Sequence, residues 1–275
     1  MILTGMVFLF GLVVGSFLNV CIVRLPQERS IASPPSHCPR CKAGIRFYDN
    51  IPVISFLLLR GKCRSCGEPI SWRYPAVELV NALCYVWIAR EFWINGESLL
   101  LMALCSSLIV ITMIDYDHQI IPDVITLPGM VIGLAVAPFF MMHLQEPLPF
   151  HLGRFLHTGP YLTALLNSFI GLLLGGGPLF AIGWIWEKLR HVEAMGGGDV
   201  KLMGMVGSLL GWKLALLTIM LGALSGSVAG ILLIVFRNHQ MEKVIPFGPF
   251  LAIGAVASAF YGSDIIAWYL GMFRL

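Results

Sequence analysis

Apolar residues along this chain run in long blocks, and polar residues gather in the stretches between them. The first block covers 2–23 and contains no charged side chain. Further blocks follow at 76–93, 98–114, 124–142, 161–186, 212–236 and 247–270. Each approaches or exceeds the roughly 20 residues that a helix needs to cross the bilayer hydrocarbon. One more block, 200–211, is apolar but too short, and would cross only partly or lean on its neighbours. The pattern predicts an all-α polytopic membrane protein with about eight transmembrane helices, seven clear spans and the short one.

Composition agrees. Of the 275 residues 57% are hydrophobic and 12% charged, with a mean hydropathy of +0.83. Soluble domains carry about 25% charged residues, so lipid is the expected solvent. The first block has no basic stretch before it and reads as a permanent anchor instead of a cleaved signal. The loop 24–75 holds nine of the 18 Lys and Arg residues and only Glu28, Asp49 and Glu68 as acids. Positive charge marks the cytoplasmic side, which puts 24–75 in the cytoplasm and the N-terminus outside. Alternation then returns 115–123, 187–199 and 237–246 to the cytoplasm, in keeping with Lys188, Arg190, Arg237 and Lys243. The outside loop 143–160 has Arg154 as its one firm positive charge. The net charge of +3 thus reflects membrane orientation and does not point to nucleic acid.

Seven cysteines fall into two groups. Cys21, Cys84 and Cys105 lie in apolar blocks, where a lone cysteine behaves as a small hydrophobe. The others form "CPRC" (38–41) and "CRSC" (63–66). Paired C-x₂-C turns at this separation are a tetrahedral zinc signature, with redox cysteines as the other reading. A reducing cytoplasm argues against structural disulfides. The halves match at an offset of 25: Cys38 and Cys41 with Cys63 and Cys66, Ile45 with Ile70, Phe47 with Trp72. This predicts two knuckles around one structural ion, each followed by a short strand, in a small cytosolic module between the first two spans. A module of this size needs the metal's binding energy to fold.

The apolar stretch 51–59 is too short to span, and either lies on the membrane surface or packs against the knuckles. Pro75 stands where a helix can begin. Glu78 would then fall in the first turn, where the dipole favours a carboxylate; capping and function both remain open for it.

Carboxylates at a membrane edge are costly and are functional suspects. "IDYDHQIIPD" (114–123) puts Asp115 and Asp117 at the end of one span and Asp123 at the start of the next. "GGGDVKLM" (196–203) starts the short block with Asp199. The topology brings Asp115 and Asp199, 84 residues apart, to the same cytosolic membrane depth. Two facing carboxylates can hydrolyse a peptide without metal, one taking a proton from water and the other giving one to the scissile bond. Asp199 at a helix N-terminus is expected to stay charged through the dipole, and Gly196 and Gly198 allow close backbone approach. Blander roles remain open: Asp123 as a first-turn residue, Asp117 and His118 in a solvated turn, Lys201 snorkelling to headgroups, Asp199 as a cap. A proton-coupled transporter using the same aspartates is the alternative from another class, and a zinc-dependent scaffold is a third.

The chain resembles the type IV prepilin leader peptidase / N-methyltransferase family, membrane aspartic proteases with a G-x-G-D motif. The resemblance rests on "GSFLNVCIVRLP" (15–26), both C-x₂-C pairs, "DNIPVISFLLLRGKC" (49–63), "ISWRYPAVEL" (70–79), "IDYDHQIIPD" and "GGGDVKLM". It implies a bifunctional enzyme of the bacterial inner membrane. Such an enzyme removes the short basic leader of type IV prepilins or type II secretion pseudopilins after a glycine, on the cytosolic side. It then methylates the new N-terminal amine with S-adenosylmethionine. Carried over, Asp115 and Asp199 would be the catalytic pair, with Gly196, Gly198, Lys201 and Asp123 supporting the loop. Cys38, Cys41, Cys63 and Cys66 would hold zinc. No glycine-rich nucleotide fingerprint follows a strand, so the methyl donor is expected where the knuckle module meets the membrane. Asp49, Asn50, Arg73, Tyr74 and Glu78 are the candidates there. The expected division is a first span (1–23), a cytosolic four-cysteine zinc module tied to methylation (24–75) and a transmembrane peptidase (76–275).

Overall fold

A computed structural model describes residues 2–140, 159–190, 196–237 and 245–272. Arg154, Lys243 and most of the expected 143–160 loop, all used above for topology, lie outside the described residues. Among the described residues the protein is helical, with no strand longer than an isolated bridge. It divides into two compact units, Met1–Ile114 and Asp115–Leu275.

The first unit contains α1 (Ile2–Arg24), α2 (Ile54–Leu58), α3 (Arg73–Phe92) and most of α4 (Gly96–His118). Helix α1 packs on α3 through Gly11 and Gly15, four residues apart and therefore on one face. A Cβ on Gly11 would stand 2.6 Å from the Ala82 Cα, and one on Gly15 2.6 Å from the Glu78 Cα. The backbones touch, and close helix approach of this kind drives association where lipid removes the hydrophobic incentive. Buried polar groups lock the register. Asn81 donates to the Gly11 carbonyl at 2.8 Å, and Ser106 on α4 donates to Asn81 Oδ1 at 2.8 Å. The Tyr85 hydroxyl pairs with Ser106 at 3.0 Å. Helix α4 starts two residues before the apolar block because Asn95 and Ser98 cap it reciprocally, with N–H to side-chain distances of 2.8 and 2.9 Å.

The second unit contains the end of α4, α5 (Asp123–Phe140), α6 (Pro160–Arg190), α7 (Gly197–Leu210), α8 (Trp212–Arg237) and α9 (Gly248–Met272). Helix α7 is the centre of this unit: Leu202 to Leu210 are all buried, and α5, α6, α8 and α9 pack around it. Gly171 on α6 and Gly207 on α7 meet backbone to backbone, so a Cβ on either would strike the other's carbonyl oxygen. Gly175 faces Met203 in the same way, and Gly133 on α5 leaves room for Ser208.

Each of the eight expected apolar blocks carries a helix in its described residues. Six of these helices are long and apolar enough to cross a membrane: α1, α4, α5, α6, α8 and α9. The other two differ for separate reasons. Helix α3 carries Arg73, Glu78, Arg90 and Glu91. Helix α7 has 14 residues, about 21 Å of rise, against a hydrocarbon thickness of about 30 Å.

Candidate active site and metal centre

Asp115 lies in the last turns of α4, next to the fully buried Ile111 and Ile114, and is itself 6% exposed. Its Oδ2 accepts the backbone N–H of Gly248, the first residue of α9, at 2.9 Å. Asp199 is the third residue of α7, half-buried, and its own N–H donates to the Gly196 carbonyl at 3.1 Å. Desolvation pushes the Asp199 carboxyl up to about 6, and the nearby charge of Asp115 pushes in the same direction. Asp115 is therefore close enough to act on the charge of Asp199. The expected hold of the α7 dipole on a charged Asp199 is outweighed by this desolvation.

The glycines have distinct surroundings. Gly196 is the N-cap residue, in extended conformation. A Cβ on Gly198 would come within 2.8 Å of the Ile121 Cβ, so a larger residue would push the start of α7 off that loop. Gly197 has open space around it, matching the variable place in the motif. Lys201 does not run free to the headgroups: its Nζ bridges both carboxylate oxygens of Asp123 at 2.7 and 2.8 Å. That ion pair ties the second turn of α7 to the first residue of α5. Asp117 and His118 are exposed.

Gly248 was not among the expected residues. Its signal is "PFGPF" (246–250), a glycine between two prolines where a helix starts. Nothing along the chain connects it with Asp115, 133 residues away.

The knuckles repeat in three dimensions at the same offset of 25. Cys38 N–H donates to Ala43 O at 2.9 Å and Cys63 N–H to Glu68 O at 2.8 Å. Ile45 N–H reaches Ser36 O, and Ile70 N–H reaches Gly61 O. The turns close at positive φ on Lys42 (59°) and Gly67 (73°). The expected strands are single bridges, His37 with Gly44 and Lys62 with Pro69, because each arm has only one partner residue. The four sulfurs lie within 4.8 Å of one another, with Cys38 to Cys66 at 3.9 Å. A zinc bound at about 2.3 Å by four thiolates needs sulfurs about 3.8 Å apart, so this donor set fits a tetrahedral ion. Backbone N–H groups of Cys41 and Arg40 pull the Cys38 thiol down to about 7, while burial and the three neighbouring cysteines push the Cys66 thiol up to about 12.

Four of the five candidate methyl-donor residues are tied into the first unit. Both oxygens of Asp49 accept from Arg64 at 2.6 to 3.0 Å, and this guanidinium holds the Asp49 carboxyl below its usual range. Arg73 donates to the Met113 carbonyl at 3.0 Å, and the Tyr74 carbonyl accepts from Asn19 at 3.1 Å. Asn50 is exposed at the end of the 3₁₀ turn Phe47–Asn50. Glu78 requires a correction. Helix α3 begins at Arg73, so Glu78 lies past the first turn and does not cap it. Its buried carboxylate instead accepts the Val53 N–H at 2.8 Å. Val53 has φ 58° and ψ −47°, rare for a β-branched residue, so Glu78 pins a strained link just before α2. The 51–59 stretch packs one ring on the module, Phe56 against Trp72 at 4.7 Å, and leaves Leu57 and Leu58 exposed.

A helical, multi-pass membrane protein with two interacting aspartates and a separate four-cysteine module is the class that this fold defines. Residues 9–92 match the Bacterial Peptidase A24 N-terminal domain, and residues 102–231 match the Type IV leader peptidase family. The chain is 37% identical to a prepilin leader peptidase/N-methyltransferase of Aeromonas hydrophila, over 98% of this chain and 94% of that one. It is 35% identical to the protein of that name in Pseudomonas aeruginosa, over 95% and 91%. For the one in Myxococcus xanthus the identity is 39%, over 82% and 62%. No solved structure matches. The chain belongs to the type IV leader peptidase family and is an enzyme of that class.

Proposed function

We propose that this protein processes type IV prepilins or type II secretion pseudopilins in two steps at the inner membrane. It hydrolyses the peptide bond after the leader glycine, and it then methylates the exposed N-terminal amine. The observation that carries the peptidase half is the approach of Asp115 and Asp199 from the ends of two different helices. Cleavage needs one of the pair ionised and one protonated. The ionised carboxylate takes a proton from a water molecule, whose oxygen attacks the scissile carbonyl carbon. The protonated partner gives its proton to the carbonyl oxygen, and collapse of the tetrahedral intermediate sends a proton to the leaving amine. The Gly248 N–H donated to Oδ2 of Asp115 favours its ionised form, which supports Asp115 as the base and Asp199 as the acid. Gly196 gives the substrate strand close access, Gly198 lets the start of α7 sit against Ile121, and the Lys201–Asp123 pair supports the loop.

The four-cysteine cluster is assigned one structural zinc, because four thiolates leave no open coordination position for chemistry. Methyl transfer is assigned to residues 24–75 with the neighbouring start of α3. S-adenosylmethionine, when bound, supplies an electrophilic methyl group. Asp49, Asn50, Arg73, Tyr74 and Glu78 are the candidate contacts, and a carboxylate among them would orient the substrate ammonium or accept its proton. The nine basic residues of 24–75 support a cytosolic active face. The functional division proposed is an anchor (1–23), a methylation module (24–75) and a peptidase (76–275).

The test is incubation of the purified protein with a prepilin and labelled S-adenosylmethionine. Loss of the leader mass and transfer of label to the new N-terminus are expected, and Asp115→Asn should abolish the cleavage. Full processing by Asp115→Asn or Asp199→Asn would overturn the pair. Ion flux in proteoliposomes without any cleavage would replace the enzyme with a transporter.

A further inference from the structure

Asp115 is held from two sides by different elements. Its backbone belongs to α4, while its Oδ2 is bonded to the N–H of Gly248 at 2.9 Å. That N–H is one of the donors left without a carbonyl partner at a helix start. It comes from the positive end of the α9 dipole. Pro246 and Pro249 stand on either side of Phe247 and Gly248, and neither can donate an N–H. Gly248 is also buried, and the space around it is restrictive. A Cβ there would stand 2.6 Å from Oδ2 and 3.2 Å from Cγ of Asp115. The position thus supplies a donor and an absence of side chain together.

We propose that Gly248 is a positioning residue of the peptidase: its amide fixes Oδ2 of Asp115 and leaves Oδ1 as the oxygen that receives the water proton. The inference rests on Asp115 and Asp199 being the catalytic pair. Without the bond the carboxylate can turn about its last torsion, and the proton-accepting oxygen loses its fixed place. A second role for the same segment is separable. Ile245, Pro246, Phe247 and Phe250 line a cavity of about 330 Å³ together with Gly226 and Ser227. A change that acted through this cavity on substrate seating would appear in KM, whereas misplacement of Asp115 appears in kcat.

The experiment measures steady-state cleavage of a prepilin by Gly248→Ala and Gly248→Pro. Alanine keeps the N–H but intrudes on the carboxylate; proline intrudes in the same way, is compatible with a first helical position, and also lacks the N–H. Both should lose kcat on the order of 100-fold, the cost of misplacing a reacting group by about 1 Å, with KM within about threefold of the unchanged protein. N-methylation of a precut pilin peptide, which does not use Asp115, should be unchanged and serves as the control for folding. Wild-type kcat in both variants would overturn the proposal, as would a loss confined to KM. A parallel loss of methylation would reduce Gly248 to a folding role. Hydrogen–deuterium exchange supplies a readout that leaves Gly248 intact: in Asp115→Ala the Gly248 amide should lose its protection. Unchanged protection there would also sink the proposal. If unchanged protein does not cleave, or Asp115→Asn still does, the catalytic pair itself has failed; if only the Gly248 variants cleave normally, only this inference has.

Discussion

Asp199→Asn should abolish cleavage and stabilise the fold at the same time. Desolvation raises the Asp199 carboxyl from its ordinary 3.8 to about 6. A shift of about two units corresponds to roughly 3 kcal/mol, and partial solvent access reduces the usable part to about 1–2 kcal/mol. The sign follows from the direction. A raised folded value means that the fold prefers the protonated acid, so its stability is full below about pH 4 and declines as pH rises through about 6. Asparagine never ionises and escapes that decline. The variant and the unchanged protein should therefore unfold together near pH 4. The variant should unfold a few degrees higher at pH 8, as expected for about 1–2 kcal/mol in a chain of this size. Thermal unfolding in detergent at about pH 4, 6 and 8, values that bracket the shift, reads the stability effect beside prepilin cleavage. Equal stability at pH 8 would refute the electrostatic account, and retained cleavage would refute the catalytic one.

Cys63→Ser should lose the bound zinc, read as one metal per chain by elemental analysis, and lose methyl transfer while peptide cleavage persists. Loss of cleavage with the metal would contradict two separable activities. Gly207→Ala should lower the unfolding temperature and the folded yield, because its Cβ would enter the Gly171 backbone; overpacking of this kind costs about 1–3 kcal/mol. Lys201→Met and Asp123→Asn, combined in a double-mutant cycle, should show a coupling of no more than about 1 kcal/mol, since both side chains are 40% or more exposed. A coupling several times larger would mean that the pair is shielded in the membrane.

Local composition was enough to specify the helices and the knuckles. Apolar blocks are obliged to become helices in lipid, since each backbone N–H and C=O must find a partner within its own segment. Two C-x₂-C turns carry their own offset of 25 into the backbone hydrogen bonds, because a knuckle is closed by neighbours in the chain. The family motifs marked Asp115 and Asp199 as candidates before the electrostatic influence of one on the other was visible. Helix starts were less legible: Arg73, not Pro75, begins α3, and the Asn95–Ser98 cap begins outside the apolar block that it starts. The partners of those residues became known only when the helices were packed together. Glu78 stood open between a cap and a functional carboxylate because nothing nearby hinted at Val53, 25 residues upstream and strained. Lys201 stood open between headgroups and loop support until α5 brought Asp123 beside it. The dipole at α7 looked sufficient to keep Asp199 charged until its desolvation was known. The donor to Asp115 comes from a glycine 133 residues later that no motif marks. Charge state and orientation depend on distance and burial, which are sums over elements far apart in sequence. No pattern along the chain records them.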